Sequence, residues 1–249
     1  FLSRLTMTQK DEKFKEPLPR VNDFDFGPET ARVFDDMLDR SVPFYSEIQR
    51  MMGEIAKDFA IPNSKIYDLG CSTGTTLHHL DQVIDDPVTL VGIDASPEML
   101  ARAKTKFTEQ PSKHPIELIE ANLEDHLPIE NASVVVLNLT LQFVRPIYRE
   151  QLLSQIAEGT RQGGCLILVE KVLSENSALN RLFIKNYYAF KRRNGYSEME
   201  ISQKREALEN ILVPYHEAEN RELLIRNGFT TVEPFFRWYN FSGLIALRK

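Results

Sequence analysis

Apolar positions along this chain change their period repeatedly, and those changes outline its architecture. From Pro28 they recur at helical spacing: Val33, Phe34, Met37 and Leu38 form one stripe, and Ile48, Met51, Met52, Ile55 and Phe59 a second. Pro43, within Arg40-Ser-Val-Pro-Phe-Tyr45, breaks the helix between them. Short apolar runs then alternate with helix-compatible segments. Strands are predicted at 65–69, 89–93, 116–120, 133–138 and 165–170, with helices near 74–82, 97–107 and 146–160. Ser96 before Pro97 is a good helix start. Gly163-Gly164 is expected to close the 146–160 helix.

After Lys171 the alternation stops, and residues 174–213 read as a charged, helical insertion. It resumes with a helix at 217–227, then strands around 230–239 and 241–248 joined by a short turn at Asn240, so the last strand is expected to run antiparallel. Strand–helix alternation implies a doubly wound α/β fold with a mostly parallel seven-stranded sheet, which binds ligands beyond the carboxyl ends of its strands. The expected organisation is an arm at 1–26, charged and proline-bearing and therefore loosely held, followed by an α/β unit at 27–249. That unit carries a helical cap (27–60) and the insertion (174–213).

The most informative stretch is Lys65-Ile-Tyr-Asp68-Leu-Gly70-Cys-Ser72-Thr-Gly74, a buried-strand pattern, an acid and a turn of small residues. Asp94 stands at the end of the next strand, where a carboxylate can accept from two ribose hydroxyls. An ordinary tight βα turn is the bland alternative, and Asp94 with the strand order weighs against it. The order D-x-G-x-S-x-G resembles the first motif of class I S-adenosylmethionine enzymes, with Ser72 replacing a glycine. Other strand tips offer Asn122 and Leu123 for adenine, and Asn138 near a reactive sulfonium methyl; a turn-forming asparagine is the plain reading of Asn138.

Composition narrows the classes. In 249 residues, Lys and Arg number 30 against 36 Asp and Glu, a net charge of −6, which argues against broad capture of a polyanion; direct tRNA binding is not expected. Cys71 and Cys165 are too few for a disulfide framework, so a reducing, cytoplasmic setting is the simple reading. No apolar run reaches the roughly 18 residues of a membrane span, so no membrane partner is expected. Phe1–Thr6 lacks a signal-peptide core, and Met7 is a candidate native start. The five histidines show no ligand spacing, so no metal is expected. Phe190-Lys-Arg-Arg193 and Gln203-Lys-Arg205, near Tyr187, Tyr188 and Tyr196, offer cations for a carboxylated small molecule; a solvated helix face is the bland alternative.

From about Phe34 onward the chain resembles the carboxy-S-adenosyl-L-methionine synthases of the wobble-uridine 5-oxyacetate tRNA modification pathway. Arg40–Tyr45, Tyr67–Ser72, Asn131–Phe143, Phe190–Glu198, Ile201–Arg205 and Tyr239–Phe241 carry the resemblance. It implies a Rossmann-like S-adenosylmethionine (SAM) fold and a homodimeric transferase. SAM is then the substrate, prephenate the carboxyl donor, and carboxy-SAM and phenylpyruvate the products. By position, Tyr45, Gly70, Cys71, Ser72, Asp94, Ala95, Asn122, Leu123 and Asn138 are implied cofactor contacts. Arg205 is implied for the added carboxylate, and Arg205 and Tyr45 are the catalytic candidates. The resemblance departs at Ala95 and Asn122, where relatives often carry Asn and Asp. The competing readings are a conventional SAM-dependent methyltransferase acting on tRNA or a small molecule, and a SAM-binding protein without turnover.

Overall fold

The structure, a computed structural model, describes residues 9–249. The candidate start at Met7 and the leader question at Phe1–Thr6 lie outside the described residues. Five strands form the parallel part of the sheet: β1 (Lys65–Leu69), β2 (Thr89–Asp94), β3 (Ile116–Glu120), β4 (Ala132–Asn138) and β5 (Thr160–Leu173). β7 (Thr231–Trp238) and β8 (Phe241–Leu247) complete the order β3-β2-β1-β4-β5-β8-β7, and β8 runs antiparallel to both neighbours. The two-residue β6 (Tyr215–His216) pairs with the end of β5, off this path.

Residue alternation explains the two layers. Tyr67, Leu69, Val91, Ile93, Val135, Leu137, Leu166 and Leu168 face one core with Leu152, Leu153 and Ile156 of α5 (Pro146–Gly159) and Phe229. Their neighbours Ile66, Leu90, Val134, Val136, Cys165, Ile167 and Val169 face the other. There they meet Ile48 and Met52 of α2 (Tyr45–Phe59) and Leu77 and Leu80 of α3 (Thr75–Val83). Strands apolar on both faces are what a parallel sheet covered by helices requires.

α1 (Pro28–Ser41) and α2 are broken apart at Pro43, where Phe44 takes φ 55° ahead of α2. α4 (Pro97–Glu109) begins as its sequence predicts, with the Ser96 hydroxyl accepting from Met99 N at 3.2 Å. α6 (Ser177–Arg193) and α7 (Glu198–Leu208) occupy the insertion, and a Ser197/Glu200 capping box starts α7. α8 (Glu217–Arg226) precedes the final hairpin.

Two expectations are corrected. Gly163-Gly164 does not close a helix: α5 ends at Gly159, and the glycines sit inside β5 at a bulge where the pairing with β4 shifts register. Gly163 takes φ +79° there, a conformation that favours glycine, and its N–H donates to Arg248 O at 2.7 Å. The arm is not loosely held over residues 9–26. The Gln203 side-chain amide donates to Phe14 O and Glu16 O (both 2.9 Å) and accepts from Leu18 N (2.7 Å). Arg40 Nη2 donates to Asp11 O at 2.6 Å, the Tyr196 hydroxyl donates to Asp11 Oδ2 at 2.7 Å, and Phe14 and Phe24 are buried against Val33, Met37 and Ala207. Composition hid these contacts because their partners lie far along the chain.

Gly92, in β2, packs tightly against Cys71 of the glycine turn and against α3 and β3. A Cβ there would stand 2.6 Å from Leu77 Cδ1, 2.8 Å from Cys71 Sγ and 2.9 Å from Leu118 Cδ2. Gly92→Ala is expected to lower stability by about 1–3 kcal/mol through overpacking. The midpoint of denaturant unfolding at unchanged slope measures it; an unshifted midpoint would show that the turn can yield.

Candidate functional site

One cavity runs across the strand tips from β3 to β5, and the local geometry of each tip explains its walls. At β1, Gly70 takes φ +74°, and a Cβ there would stand 2.5 Å from Thr140 Cγ2. Gly70 N and Cys71 N both donate to Ile93 O, which ties the turn to β2. Ser72 takes φ 49°, a left-handed conformation that explains why the related motif places glycine there. Its N–H donates to Asp94 Oδ2 at 2.8 Å, while Ser96 N donates to Asp94 Oδ1 at 2.9 Å. One carboxylate therefore joins the glycine turn to the start of α4. Burial raises its pKa against these backbone donors. The remaining lone pairs suit ribose hydroxyls.

At the next tip the Asn122 side-chain carbonyl accepts from Glu124 N at 3.0 Å, an Asx turn that leaves its amide for a ligand beside buried Leu123. Beyond β4, Leu139 takes φ 61° and a 3-10 turn follows at Leu141–Phe143. Glu170, near the end of β5, holds this turn by accepting from Thr140 N, Leu141 N and Gln142 N at 2.9–3.1 Å. Burial still pushes its carboxyl up to about 8.

Tyr45, Gly70, Cys71, Ser72, Asp94, Ala95, Asn122, Leu123 and Asn138 all line this cavity. Arg205 does not: it lies on the exposed face of α7, while its neighbour Lys204 turns inward and lines the wall. One step along a helix rotates a side chain by about 100°, which spacing alone does not resolve. Tyr45 is buried and its phenol is pushed well above its ordinary range, mainly by burial, which favours the neutral hydroxyl over the phenolate. Cys71 is likewise held as a thiol by burial.

Three wall features are new to the structure: Lys171, the turn 139–144, and Phe24 and Phe26 from the arm; Lys204 belongs to the cationic Gln203-Lys-Arg205 run already singled out. Lys171 carried a usable signal, since it follows the apolar run of β5 at a strand tip. The arm carried none.

The decisive chemistry lies in acceptors without donors. Asp68 Oδ2, Asn138 Oδ1 and Gln49 Oε1 are buried and have no hydrogen-bond partner. Asn138 Nδ2 and Gln49 Nε2 both donate to Thr76 Oγ1, at 3.3 and 3.0 Å, which aims their carbonyls elsewhere. Asp68 is pushed up to about 8, first by burial and then by the Asp94 carboxylate. Buried orphan acceptors beside a ribose-type carboxylate call for a cationic nucleoside. SAM, with its sulfonium and ammonium, fits this set.

A doubly wound sheet with one antiparallel strand next to its edge, a glycine turn and an acid at the tip of β2 define an S-adenosylmethionine-dependent methyltransferase fold. A methyltransferase-domain family profile matches residues 66–164. Among solved structures, an S-adenosylmethionine-dependent methyltransferase from Clostridium acetobutylicum superposes with TM-score 0.59 at 13% identity, over 86% of this chain and 96% of its own. Human N-acetylserotonin methyltransferase in complex with SAM gives 0.57 at 16% identity, over 88% and 55%. Sequence relatives are far more specific. The carboxy-S-adenosyl-L-methionine synthase of Methylococcus capsulatus is 55% identical over 96% of this chain and 99% of its own. That of Desulfotalea psychrophila is 44% identical over 96% and 98%. The chain belongs to the carboxy-S-adenosyl-L-methionine synthase family. Coverage of 96% also extends the likeness into the segment before Phe34, where the sequence reading had ended it.

Asp68 yields a test with a defined sign. Its pKa rises from 3.8 in the open chain to about 8 in the fold, so the fold retains a proton that the unfolded chain releases. Stability therefore falls as pH rises from about 4 to about 8. Asp68→Asn is expected to be the more stable protein at pH about 8, by an amount on the order of a few kcal/mol, with the gap closing toward pH about 4. The same variant should bind SAM roughly tenfold more weakly. Melting curves across pH with calorimetric SAM titration decide it; a pH-independent gap would remove the assignment.

Proposed function

We propose that this protein converts SAM and prephenate to carboxy-SAM and phenylpyruvate, supplying the carboxyl group for tRNA wobble-uridine 5-oxyacetate modification. The near-full-length identity to carboxy-S-adenosyl-L-methionine synthases carries the reading. The cavity supports it: orphan acceptors at β1 and β4 suit the cationic SAM, and cations at β5 and α7 suit an anionic co-substrate in the same enclosure.

The reaction balances. Prephenate aromatises by losing carbon dioxide and hydroxide; the hydroxide takes a proton from the acidic sulfonium methyl, and carbon dioxide joins that carbon. Water, phenylpyruvate and carboxy-SAM result. In this scheme the protein holds the partners together and keeps bulk water from the intermediates. Buried Tyr45 closes the wall as a hydrogen-bond donor, and Gly70–Ser72, Asp94, Ala95, Asn122, Leu123 and Asn138 hold the nucleoside. Arg205 stays a candidate for the added carboxylate, and its exposed position on α7 requires a rearrangement or a second subunit to bring it there. The same reading includes a cytoplasmic homodimer, for which half-exposed Leu179 and Leu182 on α6 are candidate contacts. No described helix is long and apolar enough to cross a membrane.

Incubation of purified protein with SAM and prephenate is expected to give a nucleoside heavier than SAM by one carbon dioxide, with phenylpyruvate formed alongside, by mass spectrometry. S-adenosylhomocysteine appearing only with a methyl acceptor such as tRNA would replace the reading by the methyltransferase one. Arg205→Ala is expected to slow carboxy-SAM formation roughly tenfold or more. A normal rate in that variant would leave the carboxylate to the cavity lysines.

A further inference from the structure

On the β5 side of the cavity three lysines from three elements surround two tyrosine rings. Lys171 lies near the end of β5, Lys191 near the end of α6 and Lys204 within α7. Lys171 Nζ stands 4.8 Å from the centre of the Tyr187 ring, and Lys191 Nζ stands 5.8 Å from the same ring. Lys191 Nζ is also 5.1 Å from the Tyr196 ring, and Lys204 Nζ is 5.8 Å from it. Lys171, Lys204 and Tyr187 line the cavity; Lys191 is 5% exposed and is not part of its lining.

The anionic groups nearby do not match this charge. Asp11 Oδ2 stands 3.9 Å from Lys204 Nζ and already accepts from the Tyr196 hydroxyl. Lys204 Nζ also reaches Ser41 Oγ, at 3.5 Å. Among the described residues no carboxylate oxygen lies within 4.0 Å of Lys171 or Lys191 Nζ. Tyrosine faces soften the deficit without cancelling it. A buried group of cations with too few anions is costly unless something completes it. The cavity wall is where a ligand can do so.

We propose that Lys171, Lys191 and Lys204, framed by Tyr187 and Tyr196, form an anion subsite that holds one carboxylate of the carboxyl-donating acid. The proposal rests on the carboxyl-transfer reading for the identity of that acid. It also says which carboxylate is held. A carboxylate that departs as carbon dioxide gives up its charge on the way to the transition state, so an ammonium pair on it would stabilise the ground state and slow the step. Prephenate carries two carboxylates, and the subsite takes the one that stays. The departing carboxylate is left toward the sulfonium, on the Asn138 side.

Proton linkage gives the subsite a signature that packing would lack. Burial pulls Lys171 down to about 8. It pulls Lys204 down to about 8, with Lys171, Arg40 and Lys13 adding to the fall and Asp11 opposing it. Lys191 falls to about 6, through burial and then Lys204 and Lys171, against Asp11 and Glu200. An arriving carboxylate favours the protonated amines, so binding draws in protons and weakens as pH rises through about 8.

Three variants and one equilibrium probe test this. Lys171→Gln is expected to raise KM for prephenate by roughly 10–100-fold with KM for SAM unchanged, the loss of one charge-assisted contact. Lys171→Arg is expected to keep most of the wild-type value. Phenylpyruvate, titrated calorimetrically into wild-type protein saturated with S-adenosylhomocysteine, should bind at least about tenfold more weakly at pH about 9.5 than at pH about 6.5. It should take up protons over the range in which binding falls, from pH about 8 upward, and lose this binding in Lys171→Gln. Lys191→Met should melt higher than wild type near neutral pH, because it removes a buried amine that folding strips of its proton, yet bind phenylpyruvate more weakly. An unchanged prephenate KM in Lys171→Gln, or phenylpyruvate binding indifferent to pH and to both substitutions, overturns the subsite while carboxy-SAM formation continues. Lysine-dependent phenylpyruvate binding in a protein that makes no carboxy-SAM keeps the subsite and overturns the reaction assigned to it.

Discussion

The Asp94 carboxylate is the constraint on which the site is built. One oxygen accepts from Ser72 N in the glycine turn, the other from Ser96 N ahead of α4. It thus sets the distance between the first and second strand tips, the gap a nucleoside must span. Its position depends in turn on tight packing below, where Gly92 leaves room for Leu77, Cys71 and Leu118 to meet. Its charge also acts on Asp68, which buries beside it with one oxygen unpartnered. Sheet geometry, turn strain and electrostatic preparation for a cation therefore share one residue.

From that point the cavity divides by charge. Acceptors without donors gather at β1 and β4, and cations without sufficient anions gather at β5, α6 and α7. Each half is unfavourable when empty, which is consistent with a site whose polar groups are completed by ligands of opposite charge. Between them, Glu170 anchors the turn that follows β4 through three backbone amides, so the middle wall is held from the β5 side. The cap and arm close the enclosure: Phe24, Phe26, Phe34 and Tyr45 are its aromatic wall, and polar contacts to Gln203, Arg40 and Tyr196 pin the arm that carries the first two.

How far the site was legible follows from range along the chain. Gly70, Ser72, Asp94, Asn122 and Asn138 are recognisable because a parallel sheet places every strand tip on one edge, so local pattern translates directly into position. Arg205 is implied by the resemblance and Lys204 stands beside it in one cationic run; only the packing of α7 decides which of the two neighbours faces inward. Gly163-Gly164 looked like a helix stop because glycine pairs serve both stops and bulges; the register of β5 against β4 selects the bulge. The arm looked unstructured because its composition is charged, whereas its order comes from partners in α1 and α7.

By itself, then, the sequence determined the strand–helix alternation, the glycine turn, the acid at the tip of β2 and the family, since each resides in short contiguous patterns whose periodicity and turn chemistry are local. Tertiary structure alone decided which of the insertion's cations enters the cavity, that three lysines share two aromatic rings, and that the arm forms a wall. Those outcomes depend on helix rotation, on side chains brought together from α6, α7 and β5, and on the desolvation that follows when a chain folds back on itself; none of these has a signature within a single segment.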